Sequence, residues 1–207
     1  MEHELRQGTK MKTAKRLSYA IASMLLMMPL VTSCAFHEQL PSNWTLPAPV
    51  HIGNCPDISG QYVSMGETIK NKTTVSLIYE LFVIAKDRKQ YPLVRWQEVS
   101  HISIQQQGQN LLNIVAWKGK EVLYSTSLSK DSNDFICEDG WLKVETSTLQ
   151  GYSSSAAGFN STSRNFVNSD GYLLEKRETN SLLMLSILPV IGSSVEWFRF
   201  ARSEQPE

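Results

Sequence analysis

The sequence predicts a mainly β (α+β) fold: an antiparallel β-sandwich or barrel-like domain with one helix packed on it near residues 74–85. Three observations carry that expectation. From about residue 93, stretches with strand patterning follow one another, separated by short glycine-containing turns. Two Asp-Gly pairs, Asp139-Gly140 and Asp170-Gly171, each precede an aromatic residue and a leucine. Only one stretch repeats its apolar residues at helical spacing.

The chain opens with a different kind of segment. Lys12, Lys15 and Arg16 form a positive cluster, residues 20–31 are almost free of polar groups, and Thr32 and Ser33 are small. Charge, short apolar run and small residues in that order form a secretory signal over residues 1–33, with Met11 as an alternative start. At about a dozen residues the run is shorter than the roughly 20 a membrane-spanning helix needs. It ends in Val31-Thr32-Ser33-Cys34. That ending resembles the lipobox of bacterial lipoproteins, with a valine where leucine is usual. The resemblance implies cleavage before Cys34, lipid on its thiol and attachment of the chain to a membrane. Ala35 stands where an aspartate would resemble an inner-membrane retention signal, which implies the periplasmic face of the outer membrane.

Removal of residues 1–33 takes five of the 20 basic residues (Arg6, Lys10, Lys12, Lys15, Arg16) and two of the 20 acidic ones (Glu2, Glu4). The 15 basic and 18 acidic residues left give a net charge of −3. With no basic surplus to neutralise phosphates, nucleic acid is excluded as a partner. The remaining chain of about 174 residues can build one core. With Cys34 set aside for lipid, Cys55 and Cys137 form a couple, and in an oxidising compartment two such cysteines join. The loop closed would contribute about 4 kcal/mol. Two free thiols or a metal site are the alternatives, but His37, His51 and His101 show no ligand spacing with either cysteine.

Residues 34–54 carry Pro41, Pro47 and Pro49 without periodicity and read as a tether between lipid and domain, or as an arm packed on it. The domain, residues 55–207, starts at the turn-rich CPDISGQY. In residues 74–85, Leu77, Ile78, Leu81, Phe82 and Ala85 form a core-facing stripe that Thr74 can cap. Lys86 to Lys89 then suit a helix end. HISIQQ places Ile102 and Ile104 on one face, and LLNIVAW and EVLYSTS follow. Both Asp-Gly pairs favour type I′ hairpin turns. Between those hairpins, GYSSSAAGFNSTSRN (151–165) reads as a mobile loop. Residues 181–187 and 195–200 read as closing strands. Pro189 and Gly192 break the apolar run there, which makes it core rather than membrane segment. The opening CPDISGQY, the paired Asp-Gly elements and the WFRF ending resemble a type of proteobacterial envelope lipoprotein, a resemblance that carries no activity.

No pattern of catalytic residues emerges. Glu138, Asp139 and Asp170 invite an acid/base reading, yet both aspartates sit where turns require them. Nucleophile elbows, S-x-x-K, H-E-x-x-H, phosphate loops and dinucleotide fingerprints are absent, and no cofactor or metal is expected. Trp96, Trp117, Trp141 and Trp197 either line a pocket or serve the core. The expectation is a lipid-anchored, non-enzymatic binding or assembly module whose partner is an envelope protein or glycan. A lipocalin-like carrier of an apolar ligand, and a periplasmic hydrolase without a recognisable motif, are the alternatives.

Overall fold

A computed structural model of the protein describes residues 34–47, 54–68, 75–82, 96–153, 156–185 and 188–203. Its strands are β1 (Cys34–His37), β2 (Gly60–Val63), β3 (Met65–Thr68), β4 (Val75–Ser76), β5 (His101–Gln107), β6 (Leu111–Lys118), β7 (Glu121–Ser129), β8 (Ile136–Glu138), β9 (Trp141–Ser153), β10 (Ala156–Ser169), β11 (Tyr172–Leu185) and β12 (Leu188–Ala201). One α-helix, α1 (Leu77–Phe82), and a 3-10 turn, Trp96–Glu98, complete the described elements.

Two sheets result. The larger has the order β4-β3-β12-β11-β10-β9-β8, with β1 added in parallel on β12; the smaller runs β2-β5-β6-β7. They pack as a sandwich-like domain and not as a closed barrel. The barrel alternative is therefore corrected. Ile102 and Ile104 share the inner face as expected, beside Leu112, Ile114 and Leu128. Opposite them stand Leu142, Phe166, Leu173, Phe198 and Phe200, and Leu77, Ile78 and Leu81 of α1 join the same cluster. The helix begins at Leu77, because Val75–Ser76 pairs with Met65 and Gly66 as a strand. The expected cap Thr74 and the helix end beyond Phe82, with Lys86 to Lys89, lie outside the described residues.

Sequence chemistry explains the joints. Asp139 and Gly140 have φ of 51° and 79°, and Asp170 and Gly171 have 44° and 82°, the left-handed pair that a type I′ turn requires. These turns join β8 to β9 and β10 to β11. The hairpins are alike at the turn but not in length, since β8 has three residues and β10 fourteen. Gly66 is fixed by space: a Cβ there would sit 2.3 Å from Phe200 Cε1. The opening motif clips the two sheets together. Tyr62 Oη donates to Asn168 Oδ1 at 2.6 Å, and Asn168 Nδ2 donates to Asp57 O at 2.7 Å. The Ser59 side chain first, and its backbone N, which donates to Asp57 Oδ1 at 2.9 Å, second, hold the Asp57 carboxyl below the usual range.

Two expectations fail along the larger sheet, and for residues 34–47 one of two open readings holds. Residues 151–165 are not a mobile loop: their described part belongs to β9 and β10, whose register runs from Phe166↔Leu142 to Ala156↔Ser153. The part of the expected tether that is described is a packed arm. Cys34–His37 pairs with Gly192–Val195, Trp197 Nε1 donates to Glu38 O at 3.1 Å, and Ser169 Oγ donates to Thr45 O at 2.5 Å. Arg199, ion-paired to Glu67 at 2.9 Å, lies over the Trp44 ring at 5.0 Å and the Tyr172 ring at 4.9 Å. Finally, the apolar run before Gly192 does not serve as core at its described exposed positions, Leu182, Met184, Val190 and Ile191. Core residues of β9–β12 lie at the end near the Asp-Gly turns, and the strands continue well beyond it.

Cys55 and Cys137 form the expected disulfide, with Cα atoms 5.0 Å apart and 82 positions of sequence between them. It ties the segment entering β2 to β8 at the edge of the other sheet. Reduction should lower unfolding stability by about 4 kcal/mol through the freed loop. The check is a comparison of urea midpoints with and without reductant.

Candidate functional site

Two regions of the larger sheet hold side chains that packing alone does not account for: a buried charge cluster where the core ends, and the distal end where Cys34 lies. Arg164 and Arg177 are direct cross-strand partners on β10 and β11, which would be repulsive by itself. Glu80, presented by α1, resolves this. Arg164 Nε donates to its Oε2 at 2.6 Å, and Arg177 Nη2 lies 2.7 Å from its Oε1. Arg164 Nη1 also donates to Thr146 Oγ1 at 2.9 Å. Arg177 reaches Glu175 Oε1 at 3.3 Å and Glu196 at 3.7 Å, and its guanidinium lies 4.2 Å from the centre of the Phe198 ring.

Glu175 is fully buried between Phe166 and Phe198, its neighbours across the strands. Burial first, and the Glu80 carboxylate second, push its carboxyl up to about 8 against the lowering effect of Arg177 and Arg164. A proton on Glu175 at neutral pH makes the balance sensible. Arg164 and Arg177 are then matched by the buried Glu80 and by the half-exposed Glu196. Glu175 Oε2 is without a hydrogen-bond partner among the described residues. Raised carboxyl groups mark many active sites, but ion networks raise them too. With 0 % exposure at Glu175, no substrate atom reaches this acid as the chain is folded. The arrangement locks α1 onto the sheet.

The distal region is built by β1. It runs parallel to β12, with Cys34 opposite Gly192 and His37 opposite Val195. Cys34 is thus the distal residue of β1, at the end of the sheet away from the core.

The residues singled out from sequence do not converge. Glu138 is at the edge strand, 3.4 Å from Lys143, while Asp139 and Asp170 serve as turn residues. Trp117 belongs to the smaller sheet, stacks on His101 with ring centres 5.8 Å apart, and donates through Nε1 to Ser103 Oγ at 2.9 Å. Trp141 and Trp197 meet on the larger sheet, ring centres 6.1 Å apart. Trp96 sits in the 3-10 turn. His37 is on β1, His51 is outside the described residues, and burial lowers the His101 pKa. No group of three or more His, Cys, Asp or Glu side chains that could hold a metal ion occurs among the described residues. No described helix is long and apolar enough to cross a membrane. Sequence reasoning missed Glu80, Arg164, Glu175 and Arg177. The one signal available was Glu80 inside the apolar run of the helix. No protein-family model, curated protein or solved structure matches the chain.

The cluster yields two expectations. Glu80→Gln should destabilise the fold by about 3–5 kcal/mol, because the buried Arg164 and the partly buried Arg177 lose their shared partner. It should also lower the Glu175 pKa by removing the repulsive carboxylate, as read by carboxyl NMR. The second concerns pH. An unfolded glutamate releases its proton near the ordinary value of 4.5, and Glu175 in the fold near 8. Between those values the folded state binds more protons, so this group makes stability fall as pH rises, levelling off above about 8. Urea midpoints measured across that range should show the slope, and Glu175→Gln should abolish it.

Proposed function

We propose that the protein is a lipid-anchored lipoprotein of the cell envelope, held by Cys34 at the periplasmic face of the outer membrane. Its domain acts as a non-enzymatic binding or assembly module. The observation that carries this reading is the position of Cys34 at the distal end of β1, beyond the packed core. An acyl chain there leaves the molecule at one end of the sheet and disturbs no core residue. The sequence before it, a charged cluster, a short apolar run and Val31-Thr32-Ser33, supports the same attachment.

Several acyl chains on one cysteine anchor stably, at about 0.8 kcal/mol per buried CH₂, whereas a single chain holds only marginally. The non-enzymatic half of the reading is supported by the roles already filled by the candidate carboxylates. Asp139 and Asp170 make turns, Glu138 pairs with Lys143, and Glu175 is enclosed. An envelope protein or glycan is the partner class this reading implies, met by the surfaces away from the anchor.

Cys34→Ala should abolish incorporation of labelled palmitate and move the protein from the membrane to the soluble periplasmic fraction. Unchanged labelling would overturn the anchor.

A further inference from the structure

The four long strands outrun the core, and what they carry there is unusual for a water-facing sheet. Residues 146–163 and 179–195 contain no Asp, Glu, Lys, Arg or His, runs of 18 and 17 residues. Their described residues form the distal halves of β9–β10 and of β11–β12, side by side. Strands in water normally carry charge, which blocks association.

The apolar residues within these runs are gathered at the far end. Leu149, Phe159, Leu182 and Ile191 form one directly opposed row across the four strands, and all are exposed, Leu149 by 84 %. Nearer the core the next rows are Ser, Thr, Asn and Gly, such as Thr148, Asn160, Ser181 and Gly192. Charge returns only at Glu145, Arg164, Glu178 and Glu196. Going inward from the row of Leu149, Phe159, Leu182 and Ile191, the sheet is apolar, then polar and neutral, then charged. That is the order of polarity met on leaving a bilayer.

Both faces take part. Leu183 and Val190, opposed to each other one residue along from the first row, lie on the other face, and Val190 is exposed by 43 %. A single protein interface covers one face of a sheet, whereas a surrounding solvent meets both. The position of Cys34 says which solvent: it pairs with Gly192, next to Ile191. From there to Leu188 the sheet extends four residues, about 13 Å at the strand rise.

We propose that this apolar end enters the outer part of the membrane leaflet that holds the Cys34 anchor, so that the domain contacts lipid directly as well as through its acyl chains. The proposal rests on the reading of Cys34 as the lipid-bearing residue. Entry is limited to the interfacial zone, about 5–10 Å deep, where turn backbone groups still find water.

The test uses the full mature lipoprotein in vesicles of phosphatidylethanolamine and phosphatidylglycerol. Leu149→Cys supplies a free thiol for an environment-sensitive NBD label, because the other cysteines are in the disulfide or lipidated. Ser125→Cys on exposed β7 is the reference. NBD at Leu149→Cys should emit further to the blue than at Ser125→Cys and should lose intensity when the acyl chains are brominated. Vesicle-bound protein with no bromine quenching at Leu149→Cys overturns the proposal and leaves the anchor standing. A blue shift without bromine quenching also overturns it, since the end then meets protein, a second copy of this chain included. Should Leu149→Cys fail to form the Cys55–Cys137 bridge, Leu182→Cys in the same row gives the same readout. Palmitate labelling of Cys34→Ala tests the anchor by itself, so the two readings fail separately.

Discussion

The carboxylate of Glu80 is the point on which the larger sheet and its helix depend. Arg164 and Arg177 face each other across adjacent strands where the apolar core stops. Two cations at that spacing in a dry setting would force the strands apart or draw water into the core. A short helix brings one carboxylate with two oxygens, and each oxygen meets one guanidinium. A helix draws most of its stability from packing of its apolar face rather than from propensity. The apolar contacts of α1 through Leu77, Ile78 and Leu81 and this charged contact hold it in place together. Glu175, two residues along β11 from Arg177, is kept neutral by burial first and by the Glu80 carboxylate second, and it adds apolar character at the border.

Much of the compact half could be read from the sequence because its signals are local. The Asp-Gly pairs encode left-handed φ values, and the alternation in HISIQQ encodes one buried face. The disulfide followed from the count of cysteines once Cys34 was assigned elsewhere. The charge cluster was not legible, because Glu80 is 84 positions from Arg164 and nothing along the chain marks the two as neighbours. A glutamate in a helix reads as solvent-facing until the strands that meet it are known.

The distal half failed for a different reason. Alternation appears in a sequence only when one face is buried and the other is wet. From Phe159 to Ser163 no residue on either face is fully buried, so polar residues occupy both faces, and the composition of the stretch mimics a loop. The adjoining run around Leu182 to Ile191 misled in the opposite direction, since apolar residues interrupted by proline and glycine resemble core. Pairing supplies what composition hides. Thr162 and Thr179 oppose each other with oxygens 3.4 Å apart, and each distal strand is matched residue by residue to the next.

The length of these strands also changes how an anchor at Cys34 would act. A tether of residues 34–54 would let the domain wander through a wide volume at every orientation, diluting any surface it offers to a partner. The packed arm removes that freedom: β1, Glu38, Trp44 and Thr45 are all held on the sheet. From Gly192, beside Cys34, to Phe198 in the core is six residues along β12, about 20 Å of paired strand. A sheet held by four ladders bends far less than a proline-containing coil of equal reach. The packed domain therefore stands at a set distance and orientation from Cys34, and a partner finds the same face presented each time. For the assembly module proposed above, such fixed geometry would lower the entropy cost of each encounter, a physical use for the charge-free extension beyond the proposed contact with lipid.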